Sequence, residues 1–546
     1  MGLTLLAACV AVDSDGDGVP ARSDCNDQDP TQGLPFPLFL DSDSDGHGGT
    51  ETEVGCPGNT WLTRAATDCD DQNPDIRPGA LEVGCDGVDN DCDPATPDGP
   101  AVAVGATFRS VNLALAAAGY GEVVSLCASN IDETVLLSRG VTLAGMGAGY
   151  TILDGGGRNA AVITIVGGGA VRDITIRGGS GTLGGGVRVE GEGLATLDSV
   201  EIVDNEASQG GGVAVLQDAS LLVVDSTIHD NRASQGGGLY LAGDAELRDT
   251  QVRDNLADHG GGAWASGALT LWQTDVLDNF ASKGGGLWVL AGGRVDGSGS
   301  AVAENNATDG GGVWGSGEVS GLIVQGNFAT DGAGVWASGS LLLDRVSLTG
   351  NTATGRGGAI FAAGPTTIVG SGIEGNAAEQ DGGGAYVTDD VAFTDCRVAD
   401  NTANRGGGLF VGPGAACALT GSELSNNTAL AAGGGLFADC AGHTTLQGGE
   451  LSDNTAPRGA AGEVSGATLV LEGSRVVENE ASEIDGAAIR LEPATCDPAI
   501  LLSSGSTEFS GNTTHDIAAG PDRTQAHSDD FQCAAGTTAQ ACLPIP

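Results

Sequence analysis

Carboxylates at alternate positions carry the first recognisable chemistry in this chain. Asp13, Asp15 and Asp17 are followed by Gly18 and then by Asp24. Counted from Asp13, acids stand at positions 1, 3, 5 and 12 and a glycine at 6. Side chains at that spacing converge on one hard cation, the glycine permits a sharp turn, and all-oxygen ligands suit Ca²⁺. Asp41, Asp43 and Asp45 with Gly46 repeat the start of the pattern. Position twelve there is Thr52, so the closing ligand is expected from Glu51, Glu53 or elsewhere. Asp68, Asp70 and Asp71 surround Cys69, and Asp86, Asp89, Asp91 and Asp93 surround Cys85 and Cys92. All seven join the candidate metal ligands. Without a cation, carboxylates this dense repel one another, so structural Ca²⁺ is the cofactor expected of residues 10–100. The alternative is a solvated acidic spacer.

The composition narrows the partners. The 546 residues hold 72 Asp and Glu against 22 Lys and Arg, a net charge of −50. Phosphates would be repelled, so nucleic acid is excluded as a partner. Apolar residues are 40% of the chain, enough to build a core. Its 94 glycines do not fall at every third position, which excludes collagen. No apolar run approaches the roughly 18 residues of a spanning helix. The 13 cysteines fit disulfides in an oxidising compartment; if Cys9 is set aside, an even number remains. Their pairing is open at this point.

Two local strings resemble known motifs. Asp13 to Gly18, Asp24-Cys25-Asn26-Asp27, Asp68-Cys69-Asp70-Asp71 and Cys85-Asp86 through Cys92-Asp93 resemble the metal-binding motif of MopE-like bacterial surface proteins. One nearly complete copy covers residues 40–98 and a truncated one covers 13–37. Leu6-Ala7-Ala8-Cys9 resembles a bacterial lipobox, which implies a truncated lipoprotein-type signal at 1–9 and a lipid on Cys9. An Arg or Lys n-region is missing before it.

The elements that must position these residues come from a repeat. Asn205, Asn231, Asn255, Asn279, Asn305, Asn327, Asn351, Asn376, Asn401, Asn427, Asn454, Asn479 and Asn512 recur at intervals of 22 to 33 residues. An alanine stands two positions later in twelve of the thirteen, followed by a Gly-rich triplet, so the register is not chance. Within one unit the apolar period is two. Val335-x-Ala337, Leu341-x-Leu343 and Val346-x-Leu348 read as three short strands per coil. Coils of this length stack about 4.8 Å apart into a parallel β-helix, and the asparagines form a buried ladder. Apolar residues at Phe108, Val111, Leu115 and Ala118 predict an amphipathic helix, stopped by Gly119, that caps the solenoid. The expected fold is all-β, a right-handed parallel β-helix with an N-terminal capping helix, preceded by the acidic, cysteine-containing metal-binding segment. Its parts are the signal (1–9), the calcium motif region (10–100), the cap helix and first strand (101–127), the β-helix (128–520) and a C-terminal cap (521–546) holding Cys533 and Cys542.

Residues 101–520 resemble the pectin-lyase-like superfamily, and 180–515 resemble polymorphic outer-membrane-protein repeats. Gly357-Gly358-Ala359-Ile360 and Phe509-Ser510-Gly511-Asn512 carry that family's GGAI and FxxN letters. The superfamily implies lyases and hydrolases among the alternatives, but its catalytic strings are absent here, and Asp389-Asp390 reads as a solvated turn. The acids before many ladder asparagines, such as Asp204, Asp230 and Asp254, read as an outer charged rim.

Aromatic residues supply the last pattern. Tyr240, Trp264, Trp288, Trp314, Trp336, Tyr386, Phe410 and Phe437 occupy one repeat position, with Ile360 as the exception. If their apolar flanks line the core, these rings stand outside the helix as an exposed contact strip; the alternative is that the rings fill the core. The functional expectation is a non-catalytic bacterial cell-surface or secreted protein, an adhesin or glycan-binding protein, whose partner is a surface glycan or protein. The membrane is met only through the lipid anchor, in the outer membrane or outside the cell. A polysaccharide lyase or hydrolase and a structural envelope protein are the alternatives. Mass spectrometry of the native N-terminus should find Cys9 acylated; an unmodified peptide spanning Met1 to Val12 would exclude the anchor.

Overall fold

The computed structural model describes residues 12–80, 85, 88–94, 99–103, 105–483, 487–492, 499–504, 507–513, 517–519, 525–528 and 532–533. Cys9, Asp86, Cys542 and the tail around it lie outside the described residues. The chain divides into two units: Met1–Ala118 with Val123–Cys127, and Gly119–Glu122 with Ala128–Pro546.

The first unit is loop-rich, with little apolar side chain to bury. Strand Phe36–Leu40 pairs antiparallel with Thr52–Gly55 and Leu62–Thr63, burying Leu38 and Leu62. Disulfides Cys25–Cys56, Cys69–Cys92 and Cys85–Cys127 supply the cross-links that a small core cannot. A hairpin of Ala101–Ala103 and Ala106–Phe108 is followed by helix α1, Val111–Ala117. Ser110 caps it, its hydroxyl accepting from the Leu113 amide. The helix is shorter than the apolar spacing predicts. Phe108 belongs to a strand, and the helix stops because Ala118 is extended, before Gly119 is reached.

The second unit is a parallel β-solenoid. One coil shows how it is built. Strand Glu201–Val203 leads through Asn205 to Glu206–Gln209; the triplet Gly210 to Gly212 turns the chain into Val213–Val215, and Ala219–Val224 closes the coil. Each strand pairs in parallel with its counterpart one coil on, giving four sheets, here a to d in that order. The expected three strands per coil are therefore four. The short stretch after each ladder asparagine from Asn205 to Asn479 is a strand in its own right, and with Ser180–Leu183 these make up the thirteen described strands of sheet b. The alanine two positions after each asparagine is the residue of sheet b that faces inward, where Ala329, Ala353, Ala378 and Ala403 share one small cluster with Ala333.

The asparagines stack without a break from Asn205 to Asn512. Asn279, fully buried, donates from Nδ2 to the Val252 and Leu277 carbonyls and to Asn305 Oδ1, while its backbone amide donates to the same Oδ1. Its own Oδ1 receives the equivalent pair from Asn255. A second, shorter ladder fills the next corner with hydroxyls. Thr274 Oγ1 donates to the Leu247 and Trp272 carbonyls, and its amide donates to Ser300 Oγ.

That second ladder explains a cysteine. Cys396 occupies a hydroxyl position, with Sγ directed at the Ile368 and Thr394 carbonyls and its amide donating to Ser422. Cys396 and Cys417 are free and buried, which corrects the expectation that all twelve remaining cysteines pair. Burial pushes the Cys417 thiol up to about 12, so it behaves as a core residue.

The acids before the ladder asparagines have a conformational cause. Asp204, Asp230, Asp254, Asp278, Glu304, Asp400, Asp453 and Glu478 all have φ between 53° and 57°, and Gly326, Gly350 and Gly375 fill the same position in other coils. Left-handed backbone is disfavoured for most L-residues and tolerated best by Gly, Asn and Asp. These acids are exposed, with Asp278 half-buried, as an outer charged rim requires, and their alternation with glycine records a turn geometry as well. The triplets are constrained differently: a Cβ on Gly261 would stand 2.5 Å from the Gly285 carbonyl oxygen of the next coil.

Replacing Asn279 by Ala should lower stability by about 1–3 kcal/mol in a denaturant titration, because its neighbours lose buried partners. Replacing Asp278 by Gly should leave stability unchanged or raise it, whereas Asp278→Val should cost about 1–2 kcal/mol through left-handed strain. An equal loss from both Asp278 changes would return the position to a charge role.

Candidate metal centre

The two acidic loops fold alike from the backbone upward. In the first, Asp13 accepts the Gly16 and Gly18 amides at 2.8 and 3.0 Å. In the second, Asp41 accepts the Ser44, Asp45 and Gly46 amides at 2.8 to 3.1 Å. Gly18 and Gly46 have φ of 92° and 97°, which a side chain would strain. Asp17 and Asp45 then accept the amides two residues on, from Val19 and His47.

These bonds aim carboxylates inward. Asp13, Asp15 and Asp17 each offer an oxygen within 4.8 Å of the other two, and so do Asp41, Asp43 and Asp45. The fourth member comes from the Asp-Cys strings. Asp24 adds its charge to the field at Asp15, and Asp68 does the same at Asp43. Asp15, Asp24, Asp43, Asp45 and Asp68 each keep one Oδ2 out of solvent with no hydrogen-bond donor. Asp41 is 2% exposed and Asp68 7%. Asp68, whose ligand oxygen lies within 4.8 Å of the Cys69 and Cys92 sulfurs, thus adds a buried, donor-free oxygen near the second loop, where the spacing points to Thr52, Glu51 or Glu53 for closure. The 27-residue separation from Asp41 accommodates two strands of the sheet, Thr52–Gly55 and Leu62–Thr63. Orphaned buried carboxylate oxygens converging on one point are the donor set of a hard divalent cation.

Other acids have different work. Asp71 accepts from the Ser42 amide and hydroxyl and from the Gly49 amide, and Asp27 accepts the Ser14 amide and hydroxyl in the first loop. Each carboxylate latches its loop closed. The pairing is legible in the sequence, since each stands three residues after Asp24 or Asp68, but its charge drew Asp71 into the ligand set. Asp70 is exposed, as is Asp93. Asp89 holds Oδ1 buried without a donor, and Asp91 accepts the Asp93 amide; among the described residues neither joins the two carboxylate groups. Cys69 and Cys92 lie beside Asp68, but they are bonded to each other and offer no thiolate.

Electrostatics agree with the geometry. Burial first, then neighbouring carboxylates, hold the Asp15, Asp43 and Asp68 carboxyls above the usual range. At Asp71 burial is outweighed by the Ser42 and Gly49 hydrogen bonds, which hold its carboxyl below that range.

The aromatic residues form a column on sheet c in strict register, with Phe361 in the place assigned to Ile360. The third glycine of that triplet is Ala359, and Ile360 turns inward to the core. Flanks such as Leu239 and Leu241 line the interior, so the rings stand on the outer face. They are not an exposed strip. Phe410 is 1% exposed and Phe437 4%, and Trp264, Phe361 and Tyr386 are also buried. They lie in the corner between sheets b and c. Arg405 covers Phe410 and Phe437 and is bonded to Asp381; Arg356 covers Phe361 and Tyr386 and is bonded to Asp331. Beyond Phe437 the register position passes to Glu463, buried, with Arg458 3.8 Å away. Burial raises its carboxyl, with Arg458 and Arg490 opposing.

Comparison with known proteins fits this division. Residues 24–32 and 68–97 match the MopE metal-binding motif, whose name gives copper as the metal in MopE. Residues 291–451 match the right-handed β-helix region. Among solved structures, the chain is similar to the A-module of the mannuronan C-5 epimerase AlgE6 of Azotobacter vinelandii. The identity is 12% over 76% of this chain and 95% of that one, with a TM-score of 0.19, too low to carry an argument. No curated protein matches the chain. The protein is thus a parallel β-solenoid with an N-terminal metal-binding motif, and its disulfides make it extracytoplasmic. Among the described residues no helix is long and apolar enough to cross a membrane.

The raised carboxyls give a pH test. Without cation, their protonation favours the folded loops, a contribution fully present below the unfolded carboxylate range and lost as pH rises through the raised values. The chelator-treated protein should therefore show a first unit that melts higher at pH 4.5 than at pH 7.5. With saturating cation the order should reverse, because binding requires ionised ligands.

Proposed function

We propose that this is a non-catalytic bacterial cell-surface or secreted binding protein whose N-terminal unit is locked by two Ca²⁺ ions and whose solenoid presents a surface to a glycan or protein partner. The observation that carries the calcium reading is the pair of like-folded loops with inward, donor-free carboxylate oxygens at Asp15, Asp24, Asp43, Asp45 and Asp68. Copper, the metal in MopE's name, is disfavoured by this donor set. It has no imidazole among the converging groups and no free thiolate, and carboxylate oxygens favour Ca²⁺, Mg²⁺ or Mn²⁺. The same unit would hold the solenoid near a membrane if Cys9 carries a lipid.

The repeats support binding over catalysis. A catalytic site needs unlike residues converging from neighbouring coils, and the ladder region is regular. Glu463 beside Arg458 gives the lyase or hydrolase alternative its one foothold. A glycan assay read for both retention and product release separates the two.

Calorimetric titration of the chelator-treated protein should show uptake of two Ca²⁺ per chain. Asp68→Asn should weaken the second site at least about tenfold while sparing the first, since one charged ligand in four is lost. Tight Cu²⁺ uptake with no Ca²⁺ response would overturn the assignment.

A further inference from the structure

The aromatic column is interrupted near one end, and unusual residues gather there. Tyr240 stacks on Trp264, and Trp336 begins an unbroken run through Phe361, Tyr386 and Phe410 to Phe437. Between those runs Trp288 and Trp314 form a pair of their own, with His259 against Trp288 and Lys283 over Trp314. Lys283 is the only lysine in the chain. Trp288 Nε1 and His259 Nδ1 are both out of solvent and have no hydrogen-bond partner. An indole N–H left unsatisfied costs stability, and the remaining rings of the column need no such sacrifice.

The outer face of sheet b beside this pair holds a groove of about 540 Å³. Its floor crosses five consecutive strands, from Glu206 to Thr308. Leu256 and Phe280 stand in it side by side, 41% and 51% exposed. Arg232 lines the same groove. Every other described arginine of the solenoid except Arg139 lies within 4.0 Å of a carboxylate, yet Arg232 does not, although Glu206 is its neighbour in register. A protein of net charge −50 thus leaves one guanidinium unpaired beside two exposed apolar side chains.

We propose that this groove, with Lys283 next to its lining residue Ser282, is the seat of a neutral polysaccharide lying across successive coils. The inference rests on the binding reading above and gives it a location. Phe280 and Leu256 offer apolar faces to sugar rings. Arg232, with Ser234 and Ser282 in the groove and Lys283 at its rim, supplies donors for hydroxyls, and Asp258 supplies an acceptor. Arg232 and Lys283 are offset by Glu206, Asp258 and Asp309, the register neighbour of Lys283, so the groove, like the field of the whole chain, repels polyanions and favours a neutral occupant. The coil spacing of about 4.8 Å sets these unlike contacts in a row along the axis, where successive sugars of a polymer meet them.

The test uses the full calcium-loaded chain and calorimetry against cellohexaose, maltohexaose and xylohexaose, with oligogalacturonate as the acidic comparison. At least one neutral oligosaccharide should bind, more tightly than the acidic one. Phe280→Ala and Arg232→Ala, both changes to groove side chains outside the core, should each weaken it about tenfold without moving the melting temperature. Phe410→Ala, in the buried run, should lower stability and spare affinity. Binding that survives both groove changes would overturn the site while leaving the binding function standing. Preference for oligogalacturonate would overturn the neutral occupant. No binding to any of the four would overturn the site together with the glycan reading.

Discussion

Each coil of the solenoid must hand its backbone amides and carbonyls to the next coil, and the corner between sheets a and b is where this is hardest. The chain turns there through one left-handed residue and leaves inward-pointing polar groups that no strand can reach. The asparagine side chain answers that need, because one amide both donates and accepts. Asn279 closes its own turn, bonds the coil before it and receives from Asn255, so each asparagine is satisfied only if its neighbours are present. Such a ladder is stabilised as a unit and fixes the register of all four sheets. The hydroxyl ladder with Cys396 within it repeats the solution at a second corner, with a weaker donor where the geometry allows one.

The regularity that this constraint imposes makes departures informative. The outer corner between sheets b and c is filled by a column of rings, and from Phe361 onward guanidinium groups seal it. That seal covers four of the nine rings, Phe361, Tyr386, Phe410 and Phe437, and buries apolar area outside the lumen while Asp331 and Asp381 orient the arginines. Around Trp288 the sealing fails, since a lysine and a histidine replace arginine and buried polar atoms go unmatched. Native structures keep such defects rarely, and they concentrate where a ligand completes them.

The N-terminal unit obeys a different balance. It has three strands around Leu38, one short helix and three disulfides, and it carries carboxylates that repel one another at close range. The disulfides restrict the unfolded chain, and the loop latches at Asp27 and Asp71 hold the ligands in place. What they cannot remove is the mutual repulsion at Asp15, Asp43 and Asp68, which a cation neutralises.

Much of this was written in one dimension. The interval between asparagines, the alanine two positions on and the period of two determined a parallel β-helix, because stacked coils force identical positions into identical environments. The Asp-x-Asp-x-Asp-Gly strings determined the loops, because their bonds run between residues two to five apart. Other features depended on contacts that spacing does not encode. That Asp68 comes near the loop opened by Asp41, and that Cys85 pairs with Cys127, depended on how the intervening chain folds. The acids before the ladder read as a charged rim and are exposed, but why glycine can stand in for them followed only from their φ angles, since the sequence records residue type without the backbone conformation that selects it. Strand alternation could assign the rings to the outer face, but only the corner between two sheets decided that Phe410 is buried and Phe280 exposed. Burial depends on what the neighbouring sheet places over a side chain, and that neighbour is fixed only when the coil closes.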